Sequence, residues 1–171
     1  MLRQLQIGDC PQRRWLWLAL LVVLFDQLSK QWIEAHFVLY QSLEILPFFR
    51  LTLVYNQGAA FSFLSDQGGW QRGFFILLAL LITLFLLVWL LRMSQRERLA
   101  AIALALVIGG AVGNLIDRIL FGHVIDFLHL HYHTWHWPVF NLADSAITVG
   151  VILLLYDGLL LEPRRSRETP H

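Results

Sequence analysis

Charge is scarce in this chain. Lysine, arginine, aspartate and glutamate make up only 15% of its 171 residues, and the formal net charge is +1, so it offers no basic footprint for nucleic acid. Cysteine is scarcer still. Cys10 stands alone, which excludes an internal disulfide. Lying in a polar stretch ahead of any hydrophobic run, it also lacks the apolar segment and small residues of a lipid-attachment box, and it reads as a free thiol without a role. What is abundant is apolar: 57% of the residues are hydrophobic and the mean hydropathy is +0.59, far outside the range of a soluble globular domain. The composition is that of an integral membrane protein.

Crossing about 30 Å of hydrocarbon takes about 20 mainly apolar residues in a helix. Four stretches supply them, at about 15–34, 73–91, 99–121 and 143–161, giving a single membrane domain. The first begins like a secretory signal, with Arg13 and Arg14 before a short apolar core. No small-x-small cleavage site follows, and Asp26, Lys30 and Glu34 continue a helical pattern, so it is read as an uncleaved span. Arg3, Arg13 and Arg14 precede span one, Arg92, Arg96 and Arg98 fill the link between spans two and three, and Arg164, Arg165 and Arg167 follow span four. By the positive-inside rule both termini are expected in the cytoplasm. The other two connections, about 36–72 and 122–142, then lie outside. In the first, Leu51, Leu53 and Tyr55 alternate with Thr52, Val54 and Asn56, and Asn56-Gln57-Gly58 is turn material, which predicts a small extracytoplasmic hairpin. The segment VIDFLHLHYH alternates as a strand does, and LSDQGGWQRG reads as a turn or short interfacial helix with Trp70 at the headgroups.

The few polar residues within the spans converge at one depth. At the rise of a helix, Asp26 and Lys30 fall about 16 and 22 Å along span one, and Asn114 and Asp117 about 22 and 27 Å along span three, with Arg118 on the same face. Span four runs inward, so Asn141 and Asp144 begin it at the outer surface, and Asp126 lies just beyond span three. Two structural readings compete with a site: snorkelling to water, or ion pairing of Asp26 with Lys30 and of Asp117 with Arg118. Asp126 and Asp144 differ, having no basic residue within a helical turn in sequence. Two acids flanked by the carboxamides of Asn114 and Asn141 are the parts of a dyad sharing one proton, in which one carboxyl acts as acid and the other as base to activate water. Asp157 lies about 20 Å of helix from Asp144 and is excluded from that site. Gly109, Gly110 and Gly113 have the small spacing that lets helices approach closely.

DQLSK (26–30), NQGAAF (56–61), GGAVGNLIDR (109–118), VIDF (124–127) and FNLADSAI (140–147) together resemble the ordered motif set of the lipoprotein signal peptidase, or signal peptidase II, family. The resemblance runs from the first span to the fourth. It implies an all-α membrane protein of four transmembrane helices with a small extracytoplasmic β-hairpin or cradle between helices one and two. The implied activity is that of an aspartic endopeptidase of the bacterial inner membrane, cutting diacylglyceryl-modified prolipoproteins just before the lipidated cysteine, with its site at the outer leaflet. The family's catalytic aspartates fall on Asp126 and Asp144. Its positioning and substrate-contact residues fall on Asp26, Lys30, Asn56, Gly58, Asn114, Asp117, Arg118 and Asn141. No cofactor or metal is implied. The expected partners are lipid-modified precursors and membrane phospholipid, with no nucleic acid, and a monomer is the expected state.

Two rival functions remain open to the residues alone. His123, His129, His131, His133 and His136 crowd one loop, and positions 129, 131 and 133 of a strand would share a face able to bind zinc; neither a helical H-x-x-x-H pair nor an associated cysteine accompanies them. A proton-coupled transporter using Asp26 and Asp144 as relay groups is the other. It is opposed by the lack of an inverted repeat or broken helix.

Overall fold

The computed structural model describes residues 12–58 and 70–167. A 3-10 turn at Arg13–Trp15 leads into α1 (Leu16–His36), followed by strands β1 (Ser42–Leu46) and β2 (Phe49–Asn56), helices α2 (Trp70–Arg92) and α3 (Arg98–Leu120), strands β3 (Val124–Tyr132) and β4 (Trp135–His136), and α4 (Leu142–Tyr156). The last helix continues through a π turn at Asp157–Leu161 into α5 (Glu162–Arg167). Among the described residues, four helices are long and apolar enough to cross a membrane. A backbone in hydrocarbon must satisfy its own polar groups, and a helix does so within one segment. Cys10 and most of the predicted interfacial segment 64–73 lie outside the described residues.

Helix α3 is the central one, packed against α1, α2 and α4. Its sequence explains why. Ala100, Ala101, Ala103, Ala105, Gly109, Gly110 and Gly113 are buried along it, and small side chains let neighbouring backbones come close. A β-carbon on Gly109 would lie 2.7 Å from the Ala19 carbonyl of α1, one on Gly110 would collide with the Ala143 carbonyl of α4, and one on Gly113 would sit 2.5 Å from the Asp26 carboxylate. The outer helices instead turn leucine, phenylalanine and tryptophan outward, among them Leu24, Phe25, Phe85, Trp89, Ile152 and Leu159. In water such faces would be costly to expose; in lipid they need no cover.

The strands form one antiparallel sheet in the order β1-β2-β3-β4, so the two long connections are joined edge to edge. The expected hairpin is present, but its turn is not at Asn56-Gln57-Gly58. It falls at Pro47-Phe48, between β1 and β2, because residues Val54–Asn56 stay paired to Val124–Asp126 of β3. Asn56-Gln57-Gly58 does turn the chain, with Gly58 at φ +107° and its N–H donating to Asn56 Oδ1 at 2.9 Å. That turn ends the strand rather than folding it back. Beneath the sheet, Leu53, Ile125 and Phe127 pack on Ile33 and Phe37 at the end of α1, which seats the sheet on the bundle.

Candidate active site

Lys30, the only lysine of the chain, is almost wholly buried and has three acceptors. Its Nζ lies 2.8 Å from Asp26 Oδ2 one helical turn away, 2.8 Å from Asp117 Oδ2 on α3, and donates to Asn114 Oδ1 at 3.0 Å. Asp117 therefore takes its cation from α1, not from its neighbour Arg118. Each of these acids also accepts from a backbone N–H that fixes another element: Ala143 of α4 donates to Asp26 Oδ1 at 2.9 Å, and Ile125 of β3 donates to Asp117 Oδ2 at 3.2 Å. One buried lysine between two carboxylates thus ties together α1, α3, α4 and β3. The amide of Gln27, to which sequence reading gave no role, donates to Asp117 Oδ1 at 2.8 Å and to the Gly113 carbonyl at 3.1 Å. Its membership of the DQLSK segment is the one signal that marks it.

On top of this clamp stand the two remaining acids. Asn141 caps α4: its Oδ1 accepts from the Asp144 N–H at 2.9 Å, and Asp144 Oδ2 accepts from the Asn141 N–H at 3.3 Å, a reciprocal capping box. The Asn141 amide also donates to Asp126 Oδ1 at 2.7 Å, while the Asn114 amide donates to Asp144 Oδ1 at 2.7 Å. Asn141 and Asn114 are themselves joined at 3.1 Å. From the far side Asn56 donates to Asp126 Oδ2 at 2.9 Å. The result is a continuous chain, Asn56–Asp126–Asn141–Asn114–Asp144, built from β2, β3, α4 and α3. Burial lifts the Asp126 carboxyl to about 7, with the charge of Asp144 acting in the same direction; the Asn56 and Asn141 amides and Lys30 oppose it. Arg118 is half-buried nearby, within electrostatic reach of Asp144, Asp126 and Asp117, its Nη1 donating to the Asn114 carbonyl at 3.3 Å.

The ten residues named as catalytic or positioning, Asp26, Lys30, Asn56, Gly58, Asn114, Asp117, Arg118, Asp126, Asn141 and Asp144, fall in or beside this cluster, Gly58 at its margin through Asn56. Asp157 is apart from it and pairs with Arg165 at 2.5 Å. Arg72 escaped sequence reading: from the first turns of α2 it donates to the carbonyls of Arg118 and Ile119 at 3.1 and 2.7 Å, closing the end of α3 beside the site. The histidine reading needs correction in one respect. His129 and His131 do share a face of β3, but His133 adopts φ +51° in the turn and leaves it, and His136 of β4 takes its place. Among the described residues no group of histidine, cysteine, aspartate and glutamate is arranged to hold a metal ion.

Comparison with known proteins identifies the family. The family model described as signal peptidase (SPase) II matches residues 18–160. Lipoprotein signal peptidases of Yersinia enterocolitica and Yersinia pseudotuberculosis are each 52% identical over 147 residues, which is 86% of this chain and 87% of theirs. Two solved bacterial membrane enzymes, determined by the in meso method at 1.9 and 2.3 Å, superpose with TM-scores of 0.78. They are 34% and 33% identical, covering 86% and 92% of this chain and 94% of each of theirs. The chain belongs to the signal peptidase II family of aspartic peptidases, multi-pass membrane enzymes that remove signal peptides from prolipoproteins.

Proposed function

We propose that Asp126 and Asp144 are the catalytic pair of this peptidase. The observation that carries the proposal is the unbroken run of carboxamides linking two acids contributed by separate elements, one of them buried enough to hold a proton near neutrality. Asp126 carries the proton. Asp144, at the start of α4, accepts from the Asn114 amide and the Asn141 N–H and acts as the base. Asp144 takes a proton from water as the water oxygen attacks the scissile carbonyl, and Asp126 gives its proton to the carbonyl oxygen. The tetrahedral intermediate then collapses as the leaving nitrogen takes the proton from Asp144 and a hydroxyl of the gem-diol returns one to Asp126, which frees the amine and the carboxylic acid and restores both side chains. Arg118 and the amides of Asn114 and Asn56 grip the unwound substrate backbone, which at membrane depth needs polar partners. Asp26, Lys30, Asp117 and Asn141 hold the pair in place.

The site belongs at the outer leaflet of the bacterial inner membrane. The arginines that flank the spans, Arg13 and Arg14, Arg92, Arg96 and Arg98, and Arg164, Arg165 and Arg167, support that orientation, with the four-stranded sheet outside the cytoplasm and both termini within it. A monomer suffices, since one chain supplies both acids, and the apolar outer faces are covered by phospholipid. The diacylglyceryl group of the precursor rests in lipid beside the bundle, bringing the bond before its cysteine to the pair. The test is purified protein in detergent with a diacylglyceryl-modified precursor. Asp126→Asn and Asp144→Asn should each lower kcat by about a thousandfold or more, with the fold intact. Substantial turnover by either variant would remove that residue from the mechanism.

A further inference from the structure

The sheet carries a second cluster that the peptidase chemistry does not use. The register of β2 on β3 shifts between Leu51 and Val54, where β2 carries the extra residue. β3 is irregular there as well: the N–H groups of Phe127 and Leu128 both donate to the Phe140 carbonyl, so the faces slip, and His129 and His131 lie with Arg50 and Thr52 rather than with Ile125 and Phe127. The latter two are those seated on Ile33 and Phe37 of α1. On the other face, His129 stands opposite Arg50 and His131 opposite His136. The three imidazole centroids are 5.3, 5.8 and 6.2 Å apart.

Arg50 donates from Nε to His129 Nδ1 at 3.2 Å and from Nη2 to His136 Nδ1 at 3.1 Å. A guanidinium can only donate, so both rings accept at Nδ1 and carry their protons on Nε2, directed away from Arg50. Thr52 Oγ1 lies 3.2 Å from the same His129 nitrogen. The Nε2 of His131 is shut off from solvent without a partner. Among the described residues the ion pairs involve Lys30 and Arg165; Arg50 has no acid, although Glu44 faces it in register from β1. An arginine held by histidines rather than by a carboxylate leaves a positive centre ringed by N–H donors, chemistry that suits an oxyanion. The guanidinium between His129 and His136 repels a dication from the same place. Exposed Phe48, Tyr132, Trp135 and Trp137 lie at that end of the sheet, as aromatic side chains do at the headgroup layer.

We propose that Arg50, His129, His131 and His136 form a binding site for the phosphate of a membrane phospholipid, fastening the sheet to the headgroup layer. The phosphate oxygens accept from the unused Arg50 N–H groups and from the Nε2 protons of His129 and His136, and His131 protonated at Nε2 gains the partner it lacks. This site is independent of the catalytic assignment.

Native mass spectrometry of the full chain in neutral detergent tests it, with dioctanoyl phosphatidylglycerol, dioctanoylglycerol and inorganic phosphate as probes. One phosphatidylglycerol should be retained in preference to the phosphate-free diacylglycerol. Arg50→Gln should raise its apparent Kd by about tenfold or more, the loss expected for a charge-assisted hydrogen bond, and leave diacylglycerol retention unchanged. Should Arg50→Gln not fold, His136→Gln on the exposed edge strand replaces it, with a loss in the same direction. Cleavage of detergent-solubilised precursor by the folded variant should stay at the wild-type level. Equal retention of both lipids, unchanged affinity in the variant, or loss of cleavage with unchanged lipid affinity would each overturn the proposal. Displacement of the lipid by inorganic phosphate at equal concentration would show a site for free phosphate and overturn it as well.

Discussion

Asn141 does two separable things with one side chain: its oxygen caps α4 through the Asp144 N–H, and its nitrogen reaches Asp126. Serine can replace the oxygen at an N-cap but not the nitrogen, and alanine replaces neither. Asn141→Ser should therefore retain about 1 kcal/mol more stability than Asn141→Ala, measured by thermal unfolding in detergent, while both lose turnover alike. Asp126 makes a pH-dependent prediction. Its proton affinity is raised in the folded protein to about 7, so the folded state holds a proton that an unfolded aspartate has released above about 4. The contribution of this group to stability is fully present below about pH 4 and is lost as pH rises through about 7. Thermal unfolding of Asp126→Asn should lack that decline between pH 4 and 7, and wild-type turnover should fall on the alkaline side with an apparent midpoint near 7. A wild type and variant with parallel stability profiles would disprove the assignment of this proton to Asp126.

Helices α1, α3 and α4 meet where there is room for nothing larger than glycine and where a single lysine serves two carboxylates. Gly110→Ala would push a methyl group into the Ala143 carbonyl, and overpacking of this kind costs about 1–3 kcal/mol. A lower Tm together with lower turnover should result, because α4 carries Asp144. Asp117→Asn leaves Lys30 with one carboxylate instead of two and loosens the contact to β3. Breaking a buried pair costs about 3–5 kcal/mol, so this variant should be clearly less stable than Asp126→Asn when the two are unfolded side by side. Equal stability would show that the clamp is not structural. At this scale the helices were legible in the sequence, since hydropathy alone marks a long apolar run. The strands were legible only in part: alternation in Leu51–Asn56 announces a strand but not its partner, and Ser42–Leu46, exposed along its length, carries no burial pattern to announce it.

The whole molecule is two layers of different origin, an apolar bundle and a sheet assembled from connections that lie on either side of α2 and α3. The acids could be found in the sequence because ionisable residues are rare in such a bundle. Their linkage could not, because the chain Asn56–Asp126–Asn141–Asn114–Asp144 depends on pairing between β2 and β3, which no local pattern specifies. The grouping of His136 with His129 is hidden for a local reason: no glycine, asparagine or aspartate marks the two-residue turn at His133-Thr134 that folds β4 back beside β3. Turnover by the intact enzyme should be indifferent to chelator, and a precursor lacking the diacylglyceryl group should be cut very poorly; loss of activity with chelator, restored by zinc, would bring back the histidine-metal reading. The pairing of β2 with β3 also bears on biogenesis. Each helix inserts on its own, whereas this pairing needs residues on both sides of α2 and α3 to be already in place, and contacts so distant in sequence form late. Asn56 of β2 therefore reaches Asp126 only when β3, on the far side of α2 and α3, has been made and the sheet has closed. A chain caught midway through synthesis lacks that contact, and the proposed site is completed only by the last stretch to be made.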